Sequence, residues 1–549
     1  MASQGKKNTF FGGVATLATG VIIVKLIGAL YKIPLANILG ETGFSYFNTA
    51  YNVYNVLLMI STAGLPVALS KTVSEANALG RANQVRRVFR VALTTFLILG
   101  ALSTLIMFIG AGPITEFMGS PDSRASVRAL APAALFVCCM AAFRGYFQGH
   151  GNMVPTSVSQ VVEALCKLVL GLALAYLLAR QSIALASAGA ILGVTIGTLV
   201  ALLLLVFIFV RSGGLAQSRS DDIPDSSGSI LRTLVSIAIP ITIGSSVTNI
   251  VYLVDNGLIL NQLQNSLGMT QNQADSLYGI YSAAGTLYSL PSSLMIPFTA
   301  SILPAVSACR SRRDKLGASR VSESAMRMGM LIALPAGFGL TALARPITAM
   351  LYPRYDNAIA GGCLAWLGIA SIFVCIMLLS NSILQAHGMV NLPVAIAAIG
   401  GIIKLSVNYV LVGIESINVV GAAIGTLCCF AVVALLDLFV IHRIIPSPPR
   451  ISRIFVKPVA ASAVMAAAAW AANGLLAKLL GMLAPFRAVD ASGAVTGLSR
   501  MGIVLSTLGG IGVGGIVYLI LVVALRVISK DDLALMPHGD KLSRLLRVR

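Results

Sequence analysis

Charge is what this chain has least of. Asp, Glu, Lys and Arg make up 11% of its 549 residues, against about 25% in an ordinary soluble domain. That deficit excludes a water-soluble globular fold. Cysteine supplies no framework either. The eight cysteines at 138, 139, 166, 309, 363, 375, 428 and 429 lie in or beside apolar runs, with no CxxC and no His-Cys cluster, so they read as small packing residues. HExxH, GxSxG, Walker A and a strand-borne GxGxxG are all missing. Their absence argues against a zinc hydrolase, a serine esterase and an ATP-driven pump. No catalytic residue, metal or cofactor is expected, and the chain is not expected to be an enzyme. The first residues, MASQGKKNTFFGGVATLATGVIIVKLIG, lack a clear cleavage site and continue as a full apolar span.

What the chain has is apolar length. Residues of the hydrophobic class make up 57%, and the mean hydropathy is +0.89. Fourteen runs read as bilayer-spanning helices, at about 10–36, 43–68, 88–113, 127–148, 155–179, 185–211, 231–263, 275–304, 323–349, 357–385, 393–413, 418–443, 454–480 and 499–529. The expected fold is an all-α integral membrane protein. The net charge of +20 is distributed by side. Basic residues crowd the segments after spans two, eight and twelve and at both ends, whereas the alternate loops (GETG, SPDSR, RQS, GIES) are poor in them. The positive-inside rule puts both termini in the cytoplasm of a bacterial plasma-membrane protein and accounts for the charge without nucleic acid.

One polar phrase is written twice. FQGHGNMVP (147–155) returns as LQAHGMVNLP (384–393). Gln148, His150, Gly151 and Lys167 meet Gln385, His387, Gly388 and Lys404 at a common offset of 237, and Leu79-Gly80 meets Leu316-Gly317 at the same offset. GAILG (189–193) meets GAAIG (421–425) at 232. Two six-helix lobes of like topology therefore follow one another, with a pseudo-two-fold axis along the membrane normal and a cavity between them expected. The expected parts are an N-lobe at 1–211, a polar linker at 212–230 with the composition of a flexible joint, a C-lobe at 231–443, and two further helices with a basic tail at 444–549.

Polar residues inside apolar spans require a reason. Lys25 and Lys32 share a face of span one. Asn48, Tyr51, Asn52 and Asn55 form a stripe at spacing 0, 3, 4, 7 on span two. Ser245, Thr248, Tyr252 and Asp255 do so on span seven, and Tyr278, Tyr281 and Tyr288 on span eight. Each alone could be interhelical hydrogen-bond glue; together they fit the walls of a wet cavity. Arg144, Glu163 and Lys167 form a second group, with Glu163 placed to pair with Lys167 at i, i+4 or with Arg144 across the hairpin. Lys404 lacks those partners in its own lobe, and Asp255 is the expected counter-ion, with Asp437 the alternative. His150 and His387 read as turn chemistry.

These residues carry a resemblance. KLIGALYKIPLANILGETGFSYFNTAYNVYNVLLMISTAGLPVALSKTVSEANALG (25–80) and FRGYFQGHGNMVPTSVSQVVE (143–163) resemble the polysaccharide-transporter and stage V sporulation protein B branch of the MOP exporter superfamily, and the span number is similar to that of MurJ-type flippases. The resemblance implies a flippase for a lipid-linked saccharide, above all the undecaprenyl-pyrophosphate peptidoglycan precursor. It implies a cavity cation at Lys25, a tail groove on the last two spans, and a single chain acting among membrane lipids and cell-wall synthesis proteins. Other lipid-linked polysaccharide units, or a drug/cation antiporter of the same superfamily, are the alternatives. The acidic pair that some relatives use for Na⁺ is replaced here by Lys404 and Asn408.

Overall fold

The computed structural model describes residues 2–214, 221–444, 451–489, 495–525 and 527; side chains of 2–19 and of a few others, Ser245 and Thr248 among them, lie outside the description. Among the described residues, eleven helices are long and apolar enough to cross a membrane. The chain divides into two compact units at 279/280, inside one helix.

Unit one holds α1 (Ala2–Thr62), α2 (Leu65–Ala78), α3 (Ala82–Phe117), α4 (Arg124–Gly149), α5 (Val154–Leu178), α6 (Ile183–Arg211), α7 (Ser227–Asn265) and the first turns of α8 (Gln271–Ser311). α1 contains the first two expected spans. The loop expected at GETG is reduced to Gly40, the single non-helical residue, at φ 67° and ψ −175°; only glycine takes that conformation without strain. The second span stops at Thr62, short of the expected residue 68, and the chain restarts as α2 at Leu65. Gly64 ends so close to Ala238 of α7 that an added Cβ would stand 2.1 Å from its carbonyl oxygen.

The compact units are not the duplicated halves, because α7 packs against α1, α2 and α3 and the start of α8 bonds to α1 and to the segment before α4. Near the Gly40 corner, the Ser45 and Ser120 hydroxyls donate to Asp275 Oδ1 at 2.7 and 2.8 Å. The Ser276 hydroxyl donates to the Glu41 carboxylate. The Asn261 and Gln264 amides donate to the Phe117 and Gly119 carbonyl oxygens at 3.0 and 2.6 Å. The linker is tied as well. Asp222 accepts from the Asn83 and Gln84 backbone N–H groups, each at 2.9 Å, and so caps the first turn of α3. Asp225 accepts from Gln84 Nε2 at 2.8 Å and from Arg81 at 3.2 Å. Its residues 221–226 are therefore anchored, where composition gave a flexible joint; 215–220 lie outside the described residues.

Unit two holds the rest of α8, then α9 (Lys315–Ala342), α10 (Ala344–Leu351), α11 (Asn357–Ala386), α12 (Asn391–Val412), α13 (Val420–Ile444), α14 (Ile451–Met482), a short hairpin of β1 (Arg487–Val489) and β2 (Val495–Leu498), and α15 (Arg500–Ala524). α15 lays Gly510 and Gly514 on Ala469 and Asn473 of α14, the small-xxx-small contact that lets membrane helices approach closely.

The repeated phrase is a helix stop. His150 ends α4, Gly151 follows at φ 77°, and Asn152 N–H returns to the Phe147 carbonyl at 3.0 Å. His387 ends α11, Gly388 follows at φ 86°, and Met389 N–H returns to Leu384 at 3.0 Å. Both are Schellman motifs, and each imidazole Nδ1 sits 2.9 Å from the carbonyl four residues back. The crossing that follows also repeats. Gly193 of α6 lies over Gly171 of α5, and Gly425 of α13 over Asn408 of α12; the offsets are 232 (425 − 193) and 237 (408 − 171). The Leu-Gly match does not hold structurally. Gly80 ends α2 at φ 70°, whereas Gly317 lies in the first turn of α9 and donates to Asp314 at 2.7 Å. The left-handed stop before α9 is Arg313 instead, at φ 58°.

Candidate functional site

Unit one assembles a basic cluster from α1, α4 and α5. Lys25 is exposed and Lys32 half-buried. At about 100° per residue, Lys25 stands ~140° around α1 from Leu30 and ~200° from Ile23, which are 63% and 40% exposed and apolar. Leu26, 55% exposed, lies about 100° from Lys25. Lys32 is within electrostatic range of both Lys25 and Lys167. Lys167 stands with its ammonium 5.6 Å from the Tyr51 ring centroid, a cation–π contact that links α5 to the Asn/Tyr stripe of α1.

Arg144 Nη2 pairs with Glu163 Oε2 at 3.1 Å, and its Nε donates to Ser159 at 3.1 Å. Glu163 is thus shared, since it also acts on Lys167. Four cations (Lys25, Lys32, Arg144, Lys167) against one carboxylate leave this cluster at +3. A surplus of this sign is chemically able to hold an anion. Lysine does so as a point charge and arginine by a fork.

The stripe on α1 is half-buried throughout: Asn48, Tyr51, Asn52 and Asn55. Asn52 Nδ2 donates to the Tyr278 hydroxyl at 3.0 Å. Asn48 spends its amide on the Phe44 carbonyl at 2.7 Å, a bond within its own helix. On α7, Tyr252 is 39% exposed while Asp255, three residues on, is buried. Asn256 beside it donates to Thr49 at 3.3 Å. In unit two, the Tyr281 hydroxyl meets that of Thr426 at 3.0 Å, and Lys404 is buried on α12. The sequence reading missed Ser45 and Asp275. The signal was present, since Ser45 extends the Asn48–Asn52–Asn55 stripe by one turn. Asp275, however, read as the edge of a loop.

The second feature is apolar. In unit two, α8, α9, α14 and α15 enclose a groove of about 350 Å³, lined by Leu290, Leu294, Leu340, Met465, Ile511 and Gly515 among others. The two prolines in its wall, Pro291 and Pro335, remove backbone donors, and the wall offers almost nothing to a polar group. It suits an alkyl or isoprenyl chain.

The described residues thus hold a multi-helix membrane fold with a basic cluster in one unit and an apolar groove in the other. The chain belongs to the polysaccharide biosynthesis protein family, whose model matches residues 10–309, 300 of 549. Among curated relatives it is 26% identical to the uncharacterized membrane protein YabM of Bacillus subtilis, over 99% of this chain and 98% of that one. It is also 26% identical to the Lipid II flippase MurJ of Bacillus subtilis, over 78% and 82%. A solved Lipid II flippase MurJ in an inward closed conformation shares the fold at TM-score 0.64, with 14% identity, over 93% of this chain and 98% of that chain. An inward-facing multidrug resistance MATE family transporter of the MOP superfamily shares it at TM-score 0.60, with 16% identity, over 76% of this chain and 96% of that chain.

Proposed function

We propose that the protein flips a lipid-linked saccharide across the bacterial plasma membrane by alternating access. Its preferred cargo in this reading is the undecaprenyl-pyrophosphate-linked peptidoglycan precursor, moved from the cytoplasmic to the outer leaflet. The observation that carries the reading is the coexistence of the +3 cluster with the apolar groove, one for each end of an anionic lipid. Lys25, Lys32, Lys167 and Arg144 bind the pyrophosphate; Asn48, Tyr51, Asn52, Asn55, Tyr252 and Tyr281 offer hydrogen bonds to the head; α14 and α15 take the tail. The basic cluster also argues against a cationic drug as cargo.

The membrane potential assists. With both termini in the cytoplasm and the cell interior negative, each anionic charge carried outward gains ~2.3 kcal/mol per 100 mV, so no nucleotide is needed. Binding energy placed on the pyrophosphate leaves the sugar free to vary, so the carrier lipid is fixed more firmly than the saccharide. The test is depletion in the native cell, reading which lipid-linked intermediate accumulates and on which leaflet. Accumulation of the peptidoglycan precursor on the inner leaflet supports the reading. Accumulation of a different saccharide on the same carrier moves the substrate to that polysaccharide. No accumulated intermediate defeats it.

A further inference from the structure

Asp437 stands where an acid has no evident business. It is fully buried on α13, and neither carboxylate oxygen has a hydrogen-bond partner among the described residues. Its neighbours at i−3 and i+4, Ala434 and Ile441, belong to the apolar cluster that unites Met326 and Met330 of α9, Leu379 and Ile383 of α11, and Ile454 of α14. At the repeat offset of 232, its counterpart in the first half is Leu205 (437 − 232), also fully buried and a member of that half's apolar cluster. The fold therefore accepts a leucine at this position, and the second half carries a carboxyl group instead.

An unpaired carboxylate in such surroundings costs several kcal/mol, and the group avoids the cost by holding a proton. Among the described residues, no cation of the neighbouring elements is hydrogen-bonded to it. Glu323 and Arg327 of α9 pair with each other at 2.8 Å. Arg310 of α8 donates to the Ala386 carbonyl at 3.4 Å, and the His387 ring of α11 is held at the Ile383 carbonyl. Cys375 of α11 and Lys457 of α14 make no hydrogen bond to Asp437. Lys404 of α12 has its backbone at the level of Gly425. Twelve residues of α13 separate that level from Asp437, or about 18 Å at 1.5 Å per residue, beyond the reach of a lysine side chain. The alternative counter-ion for Lys404 is thereby removed. A hard metal ion is disfavoured as the occupant, because it needs several oxygen ligands and the described residues hold no group of three acidic or metal-binding side chains.

We propose that Asp437 is a proton-binding site of unit two. The proton rests on one carboxyl oxygen as the neutral acid while the cluster is closed. It leaves to water as H⁺, giving the carboxylate, when rearrangement of α9, α11 and α13 lets solvent in from the end of α13 that carries His442 and Arg443, about 10 Å away along the helix. An intramembrane acid of this kind commonly marks a proton path. Coupling of that step to the flip rests on the function proposed above; the proton site itself does not.

Two measurements on the purified full-length protein decide it. Infrared difference spectra of wild type against Asp437→Asn, with no substrate present, should show the carbonyl stretch of an un-ionised carboxylic acid at neutral pH that the variant lacks. A signal of ionised carboxylate instead overturns the site. In proteoliposomes with an undecaprenyl-pyrophosphate lipid, the ratio of flipping rates with and without a pH gradient should fall to unity in Asp437→Asn. Asp437→Leu, which installs the residue of the first half, should keep the fold, raise the Tm and show the same loss. A neutral acid by infrared with an unchanged gradient response in both variants overturns coupling. Should the wild type not flip this lipid at all, the substrate reading fails while the infrared result still decides the proton site.

Discussion

The Ser45 hydroxyl donates to Asp275 Oδ1 at 2.7 Å and joins α1 to the first turn of α8. Ser120 donates to the same oxygen from the segment between α3 and α4, so three separate stretches of chain meet at one buried carboxylate. Hydrogen bonds to a charged group contribute ~1.5–3 kcal/mol each. Asp275→Ala should therefore loosen the start of α8 from α1 by about 3 kcal/mol. Hydrogen exchange should rise locally in residues 261–279 and at 41–48. Unchanged protection in both segments would show that the contact holds nothing.

The pair of Arg144 and Glu163 makes a second prediction. Their side chains are 16% and 22% exposed, so removing Arg144 leaves Glu163 with Lys167 as its remaining cation in a poorly solvated place. Arg144→Met should cost ~3–5 kcal/mol, and adding Glu163→Gln should recover most of it. The measure is thermal unfolding in detergent across the four members of the cycle. Additive losses would mean the two residues do not act on each other.

Backbone contact at the helix crossing gives a graded test. A Cβ on Gly193 would stand 2.3 Å from the Gly171 Cα, with only backbone to yield. A Cβ on Gly425 would meet the Asn408 side-chain oxygen at 1.8 Å, an atom that can swing away. Gly193→Ala should thus cost about 3 kcal/mol or more, and Gly425→Ala less. Yield of folded protein and Tm report the order; the reverse order would mean that the repeat crossings are not built as described.

The groove predicts a separation of functions. An added Cβ on Gly515 meets no atom within 4 Å, so Gly515→Trp fills the groove without a backbone clash. Flipping of a long-chain pyrophosphate lipid should fall at least about tenfold, equivalent to ~1.4 kcal/mol in the barrier, while a short-chain analogue is spared. Lys25→Ala should slow both alike. Equal loss of the two lipids in Gly515→Trp would dissociate the groove from the tail.

Most of the architecture could be read from pattern alone. Apolar run length and the repeat of Gln148–Gly151 at Gln385–Gly388 carry the membrane class and the duplication, because bilayer thickness and helix-stop chemistry act directly on sequence. Lys25 with Lys32, and Arg144 with Glu163 and Lys167, stood out as two separate groups because charge in an apolar run is conspicuous; that Lys32 and Lys167 approach each other was not legible. Asp275 was not, since a carboxylate at a span edge looks like a loop residue until its serine donors are seen. Nor was the groove, because its lining consists of the leucines, glycines and prolines that every span contains. The Leu316-Gly317 match misled because a two-residue identity says nothing about whether the glycine ends a helix or begins one.

The bend at Gly40 leaves no slack between the lysine-bearing and asparagine-bearing lengths of α1. Any change in the angle between the two lengths is confined to the φ and ψ of that one glycine. In the proposed flip, the angle between the lysine-bearing and the asparagine-bearing lengths is therefore set at one residue.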